Sequence, residues 1–140
     1  MLKLFISLAL SVISLCCQAQ EAQPFKGKFY NEEYQIYLTI DAYEQSLRVP
    51  GQEVFGEVPG YLSSKRDSRV LLLTDVTVKN DHCAVIDVIN DYGSEDFTAL
   101  LTLDGEGNIT MKHQEGSTYK IVVKNKYVKI PSKIVLKPVK

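Results

Sequence analysis

The feature that most constrains the fold is an alternation of apolar and polar residues that recurs along almost the whole chain. No stretch keeps a helical period over three turns. One apolar face alternates with a more polar one in YQIYLTI (34–40), FTALLTL (97–103), NITMK (108–112) and YKIVVK (119–124). Because successive side chains of a strand point to opposite sides, this period of two predicts antiparallel strands half exposed to water. VLLLTDVTV (70–78) and CAVIDVI (83–89) are apolar on both faces and are predicted as central strands.

The segments between these strands are short and rich in turn-forming residues. Pro50-Gly51 and Pro59-Gly60 suit type II turns and bracket a predicted short strand, QEVFGEV (52–58). The most polar stretch, SSKRDSR (63–69), is predicted as a long loop. Eight or nine short strands in series predict an all-β fold, a single antiparallel meander that closes as a small lipocalin-like (calycin-type) barrel of about eight strands. A β-sandwich is the alternative.

The first residues indicate export. Lys3 precedes an apolar run, Leu4–Leu15, that is too short to span a bilayer as a mature helix, and a small residue follows at Ala19. This pattern predicts a signal peptide over 1–19 and a single all-β domain over 20–140. The expected location is periplasmic or extracellular.

The three cysteines bear on anchoring and on redox environment. A lipoprotein signal, with Cys16 or Cys17 acylated, is the alternative to soluble export and would make the chain an outer-membrane lipoprotein. After cleavage at the predicted site only Cys83 remains, so no internal disulfide can form. An exported chain of this kind suits a bacterial envelope. The apolar neighbours of Cys83 predict a small buried hydrophobe and not a nucleophile.

Charge is unevenly distributed, although the formal net charge is only −1. Thr118–Lys140 contains seven lysines and no acidic residue, whereas 20–117 contains 8 basic and 17 acidic residues. We expect the lysines to be solvated on terminal strands that close or edge the barrel, where lysine and proline discourage pairing with another chain. The alternative is a site for an anionic surface such as lipopolysaccharide or lipid headgroups. Nucleic acid is not expected, because the body is acidic and no recognition motif is present.

The densest polar stretch is INDYGSEDF (89–97), which lies between two predicted strands. Its turn-forming residues predict a hairpin connection, because they tolerate left-handed backbone or hydrogen-bond their own main chain. Ligands bind at the mouths of barrels, so this connection is also predicted to be a binding rim. The rim residues are Asp91, Tyr92, Ser94, Glu95 and Asp96.

Metal binding and catalysis are the other interpretations of this stretch. An EF-hand loop needs ligands at alternating positions and a glutamate at position twelve, which this spacing lacks. A carboxylate pair is compatible with glycoside hydrolysis. The chain has no nucleophile elbow, HExxH, CxxC pair or glycine-rich phosphate loop, and His82 and His113 are expected to be structural or solvated. We expect no metal, no cofactor and no enzyme activity. A hydrolase using Asp91, Glu95 and Asp96 is the less favoured alternative.

Four blocks carry a resemblance: FKGKFYNEEYQIYLTIDAY, VPGQEVFGEVPGYL, INDYGSEDFTALLT and QEGSTYKIV. Together they resemble a group of small exported proteins typical of Bacteroidetes that have no assigned function. The likeness covers nearly the whole of 20–140, and NDYGSED is its most specific part. It implies a bacterial envelope origin and carries over no catalytic residue.

These observations favour an exported, non-catalytic β-barrel that binds or inhibits a partner in a bacterial envelope. The partner class stays open between a small ligand, a glycan and an envelope protein. The alternative is a lipid-anchored structural envelope protein, and membrane association is expected only if Cys17 is lipidated. A hollow interior would indicate a carrier, whereas a filled one would indicate binding through the surface.

Overall fold

The computed structural model describes residues 23–51, 53–90 and 96–139. The predicted signal peptide, with Cys16 and Cys17, lies outside these ranges. No helix among the described residues is long and apolar enough to cross a membrane. Apart from one short 3-10 turn, Glu53–Phe55, the regular structure there is β. The strands are β1 (Lys26–Asn31), β2 (Ile36–Asp41), β3 (Leu47–Arg48), β4 (Glu57–Val58), β5 (Gly60–Ser64), β6 (Asp67–Val78), β7 (Cys83–Ile89), β8 (Asp96–Leu103), β9 (Ile109–Gly116), β10 (Lys120–Val123), β11 (Lys126–Lys129) and β12 (Lys133–Pro138).

Eight of these strands form a closed antiparallel barrel in the order β1-β2-β5-β6-β7-β8-β9-β12. Each barrel strand pairs with the next barrel strand along the chain, and β12 pairs back onto β1, where Tyr30 stands opposite Lys137. The arrangement is therefore an up-and-down meander with two insertions, β3–β4 and β10–β11. This confirms the predicted all-β, eight-stranded barrel, and β12 closes it as expected of the lysine-rich segment.

The alternating residues of the barrel strands point into one packed core. In β2 the buried apolar positions are Ile36, Leu38 and Ile40, as the period of two predicts. The same pattern buries Phe97, Ala99 and Leu101 in β8 and recurs in the other barrel strands. Burying apolar side chains in this way provides the dominant favourable term of folding. The inward side chains fill the centre of the barrel.

The run VLLLTDVTV is apolar on both faces because both faces are covered. Leu71 and Leu73 belong to the barrel core, while Leu72 points outward and packs against Val49 and Val58 of the first insertion. The register between β6 and β7 shifts after Leu73, which is the effect of a β-bulge. A bulge shifts the alternation by one residue, and the next core position is accordingly Val76.

The second insertion closes one mouth of the barrel. Tyr119 and Ile121, from the start of the β10–β11 hairpin, are buried in the same core as the barrel strands, and so is Ile130 at its end. The amide of Ile130 donates to the carbonyl of Tyr119 at 2.9 Å, which ties the two ends of the hairpin together. We call this hairpin the cap, and we call the β3–β4 insertion, residues 42–59, the flap.

The expected short strand over 52–58 is wrong. The segment forms the 3-10 turn and then β4, which pairs with β3 over two residues only. Gly56 adopts φ +69°, a left-handed conformation that interrupts the extended backbone. Gly60 is also not part of a turn. It begins β5, where an added Cβ would lie 2.5 Å from the carbonyl oxygen of Thr39, so the close approach of β2 requires a glycine.

The stretch 63–69 is not a long loop. Only Lys65 and Arg66 separate β5 from β6. The hydroxyl of Ser64 accepts from the amide of Arg66 at 3.1 Å, and the carboxylate of Asp67 accepts from the amide of Arg69 at 3.0 Å. The polar side chains of this stretch therefore stabilise a tight hairpin turn, which is why the sequence is so hydrophilic there.

The expected burial of Cys83 is wrong as well. Cys83 is half-buried at the first position of β7, whose fully buried residues are Ala84, Ile86 and Val88. These three residues stand opposite the inward residues of β8, so the register places Cys83 on the outer face. The apolar neighbours of Cys83 in sequence predicted the strand, but they did not predict on which side of the barrel wall Cys83 lies.

Candidate functional site

The predicted binding rim connects β7 to β8. Asp91, Tyr92, Ser94 and Glu95 lie outside the described residues. Asp96 is the exposed first residue of β8 and stands directly opposite Ile89, the last residue of β7. The predicted connection between two neighbouring antiparallel strands is therefore present, with its flanking residues in register.

A polar groove of about 370 Å³ lies beside this connection on the outer wall. Its walls include Asp87, Asp96, Thr98 and Glu115. Asp87 also stands directly opposite Asp75 on β6, an arrangement of like charges that is unfavourable in a sheet. Within the described residues no three acidic, histidine or cysteine side chains are arranged to hold a metal ion. We call this groove the acidic groove, because it concentrates negative charge beside the ends of β7 and β8.

A second, smaller pocket lies where the cap meets the barrel, and we call it the mouth pocket. It has a volume of about 90 Å³. It is lined by Phe97, Ala99, Met111, His113, Thr118, Tyr119, Ile130, Pro131 and Ser132. The lining is mostly apolar with a few polar groups, which is the usual character of binding pockets. Phe97 belongs to both the mouth pocket and the acidic groove.

Three rings give one wall of the mouth pocket its shape. Phe97 stacks on His113 at 5.7 Å and on Tyr119 at 5.6 Å between ring centroids. His113 Nε2 lies 2.9 Å from the carbonyl oxygen of Ser117, so this nitrogen carries a proton and donates it. Burial raises the pKa of the Tyr119 phenol and keeps it neutral. Its hydroxyl makes no hydrogen bond to any residue that the structure describes.

The cap is held in place by a carboxylate from the barrel. Asp67 accepts hydrogen bonds from the amide of Val122 at 2.7 Å and from the guanidinium of Arg69 at 3.1 Å. Burial alone would raise the pKa of the Asp67 carboxyl, but the amides of Val122 and Arg69 and the Arg69 guanidinium together lower it below its usual value. The side chain of Asp67 is only 7 % exposed. Asp67 therefore positions the cap over the mouth as a charged acceptor.

The outer wall of β1 and β2 carries an aromatic and basic cluster that sequence reasoning missed. Tyr30 and Tyr37 stand opposite each other with stacked rings 4.5 Å apart. Lys28 Nζ lies 4.5 Å from the Tyr37 ring centroid, and Lys65 lies over both rings. A hydrogen bond with Tyr37 raises the pKa of Lys65. The alternation placed Tyr37 outward, but the pairing of β1 with β2 was needed to bring the two rings together.

The two histidines do not meet the carboxylates of the groove. His113 stands opposite Ala99 and faces the mouth pocket, whereas Glu115 stands opposite Thr98 on the outer wall. His82 is exposed, and its carbonyl accepts from the amide of Leu103 at the far end of β8. The barrel wall thus separates the ring of His113 from the acidic side chains.

No known protein family, curated protein or solved structure matches this chain. Its function is therefore inferred from the mouth pocket, the outer wall and the packed interior.

Proposed function

We propose that this protein is a non-catalytic binding or inhibitory protein of a bacterial envelope that recognises a protein partner at the capped mouth of its barrel. The carrying observation is the packed interior. Carriers of the lipocalin-like kind hold their ligand inside the barrel, and here the inward side chains of all eight barrel strands are buried against one another. Recognition then takes place on the surface.

The size of the mouth pocket favours a protein partner over a free small molecule. Pockets that enclose a drug-sized ligand are roughly 300–1,000 Å³, and this one has about 90 Å³. A volume of this size accepts one apolar group. A few side chains that fill well-packed pockets often dominate the energy of a protein interface. The acidic groove, which shares Phe97 with the mouth pocket, would then contact the residues around that side chain.

The separation of His113 from the groove carboxylates supports binding without catalysis. General acid–base catalysis requires the proton donor and acceptor to reach the same reacting group. In the described residues the histidine faces the mouth pocket and the carboxylates face the outer wall. The polar side chains that line the mouth pocket, Thr118, Ser132 and His113, would orient a partner, and Nε2 of His113 is already bonded to the Ser117 carbonyl.

The test is a variant that fills the mouth pocket from its exposed edge. Ser132→Trp places a large ring there, and Ser132 is solvent-exposed, so the barrel is expected to fold normally. The matched control is Thr102→Trp, an exposed position near the end of β8 that lies away from the mouth. The partner is recovered by cross-linking the purified protein in native envelope extract and is identified by mass spectrometry.

We expect wild type and Thr102→Trp to recover the same partner and Ser132→Trp to lose it. Recovery that is unchanged in Ser132→Trp would contradict binding at the mouth. Tight stoichiometric binding of a fluorescent fatty acid by the wild type would contradict the packed interior and indicate a carrier instead.

A further inference from the structure

The outward face of the cap combines two lysines with one exposed aromatic ring. Lys120 stands directly opposite Lys129, and Val122 stands directly opposite Tyr127. The ammonium of Lys120 lies 5.3 Å from the centroid of the Tyr127 ring. Tyr127 is 65 % exposed, so its ring faces solvent while the other side of the hairpin packs on the core.

Among the described residues, no acidic side chain neutralises the charge of this face. Like charges directly opposite each other destabilise a strand pair. In the part of the chain that the structure describes, neither Lys120 nor Lys129 forms an ion pair, and Lys124 and Lys126 add charge at the turn of the same hairpin. No acidic residue occurs anywhere in 118–140. An anionic partner between the two ammonium groups would relieve their repulsion.

The face is also rigidly presented. Asp67 binds the amide of Val122, the ends of the hairpin are joined through Ile130, and the opposite side of the cap is buried in the core. Binding therefore requires little ordering of the backbone, which reduces its entropic penalty.

We propose that the outward face of the cap docks on an anionic lipid surface, with Lys120 and Lys129 at the phosphate groups and Tyr127 at the headgroup level. Lysines attract a protein to anionic bilayers, and tyrosine is favoured at the boundary between headgroups and acyl chains. The acidic excess of 20–117 is repelled by the same surface. This charge distribution selects the cap as the approaching face. The inference goes beyond partner binding at the mouth and does not depend on it.

A second pair of directly opposed lysines provides a matched control. Lys112 and Lys133 face each other on the wall of the barrel, and neither forms a cation–π contact within the described residues. Lys120→Gln/Lys129→Gln and Lys112→Gln/Lys133→Gln remove the same charge. The measurement is the partitioning of each purified protein onto phosphatidylcholine vesicles with and without phosphatidylglycerol at low ionic strength.

We expect the cap variant to lose roughly 25-fold in partitioning onto the phosphatidylglycerol vesicles, about fivefold for each lysine. The wall variant should lose less than about threefold, and salt should abolish the difference between the two variants. Equal losses in both variants would overturn the proposal. They would indicate that the total charge of the protein, and not one face, controls its binding to the vesicles. Equal binding of wild type to an acidic peptide and to the vesicles would overturn it in favour of a protein partner.

A tryptophan reporter makes the docking face directly visible, since the chain contains no tryptophan. In Tyr127→Trp the fluorescence should shift to the blue when phosphatidylglycerol vesicles are added, because the ring enters a less polar environment. In Thr102→Trp it should stay unchanged. A shift at position 102 and none at 127 would overturn the proposed orientation.

Discussion

The flap and the cap are both two-stranded insertions between consecutive strands of the barrel, yet they stabilise different parts of the molecule. Val49 and Val58 of the flap cover Leu72 on the outer wall, in a small cluster separate from the main core. Tyr119 and Ile121 of the cap are part of the main core itself. The flap thus shields an apolar patch of a barrel that is already closed, whereas the cap completes the barrel's interior. We therefore expect substitutions in the cap to lower the free energy of global unfolding. Substitutions in the flap should affect local opening only.

Substituting the glycine next to each insertion, which we call its root, should give the largest losses of stability. Gly116, where β9 leads into the cap, has φ +93°, and an added Cβ would lie 2.3 Å from the carbonyl oxygen of Asp96 and 2.7 Å from Cα of Phe97. Gly116→Ala should cost roughly 3–5 kcal/mol, because backbone strain adds to overpacking. Gly60→Ala, at the root of the flap, meets Thr39 without a positive φ and should cost about 1–3 kcal/mol. Urea unfolding measures the loss of stability in both variants. Equal losses would contradict the expected difference between the glycine beside the cap and the glycine beside the flap.

Truncating one buried side chain in each insertion tests the comparison directly. Ile121 and Val49 are both fully buried, at 2 % and 0 % exposure. Ile121→Ala should lower the free energy of unfolding by about 3 kcal/mol, since it leaves a cavity in the main core. Val49→Ala removes less and can relax at the surface, so about 1–1.5 kcal/mol is expected. Hydrogen exchange should show faster opening throughout the barrel in the first variant and near β3 and β4 only in the second.

The anchor of the cap should make part of the stability dependent on pH. Because the pKa of Asp67 is lower in the folded protein than its usual value, the carboxylate contributes stability above the unfolded pKa, and this contribution is lost as the pH falls through the folded pKa. Asp67→Asn should cost about 1–3 kcal/mol near pH 7, with the contribution of the partly exposed Arg69 reduced by solvent. Below about pH 3 the difference from wild type should shrink. If the stability difference between wild type and Asp67→Asn stayed constant from pH 7 to pH 2, packing and not the charge of Asp67 would explain it.

The smallest effect is expected at the tip of the flap. Val54 is 88 % exposed, and Val54→Ser should change the free energy of unfolding by less than about 0.5 kcal/mol. Thermal unfolding measures this change. A loss as large as that of Val49→Ala would mean that the tip of the flap is covered in solution.

The sequence predicts the barrel more completely than the insertions because the two depend on different information. Alternation identified the inward residues of β2 and β8, since burial of one face imposes a period of two. It misassigned 52–58, 63–69 and Cys83, whose conformations depend on a single left-handed glycine, on side-chain bonds within a turn and on register with β8. Alternation does not report the backbone conformation of a glycine or the hydrogen bonds of a turn, and the side on which Cys83 lies is set by strand pairing.

The candidate site was predictable in part for the same reason. The connection between β7 and β8 follows from local turn residues and was placed correctly between paired strands. The mouth pocket brings Phe97, His113 and Ser132 together from three strands or loops, and the Tyr30–Tyr37 stack depends on the register of β1 with β2. Lys120 and Lys129 were visible as part of a lysine-rich segment, but their opposition on one face required the turn of the hairpin.

The seam between β1 and β12 has a consequence for the order of assembly. It joins residues about as far apart as the chain allows, and the side chain of Asn31 donates to the carbonyl of Val135 across a separation of 104 residues. A growing chain can complete every pair from β1–β2 through β8–β9 before β12 becomes available. During that interval β1 and β9 both present unpaired edges, which are the surfaces from which strands add to other chains. Closure of the barrel is therefore also the step that ends its exposure to aggregation.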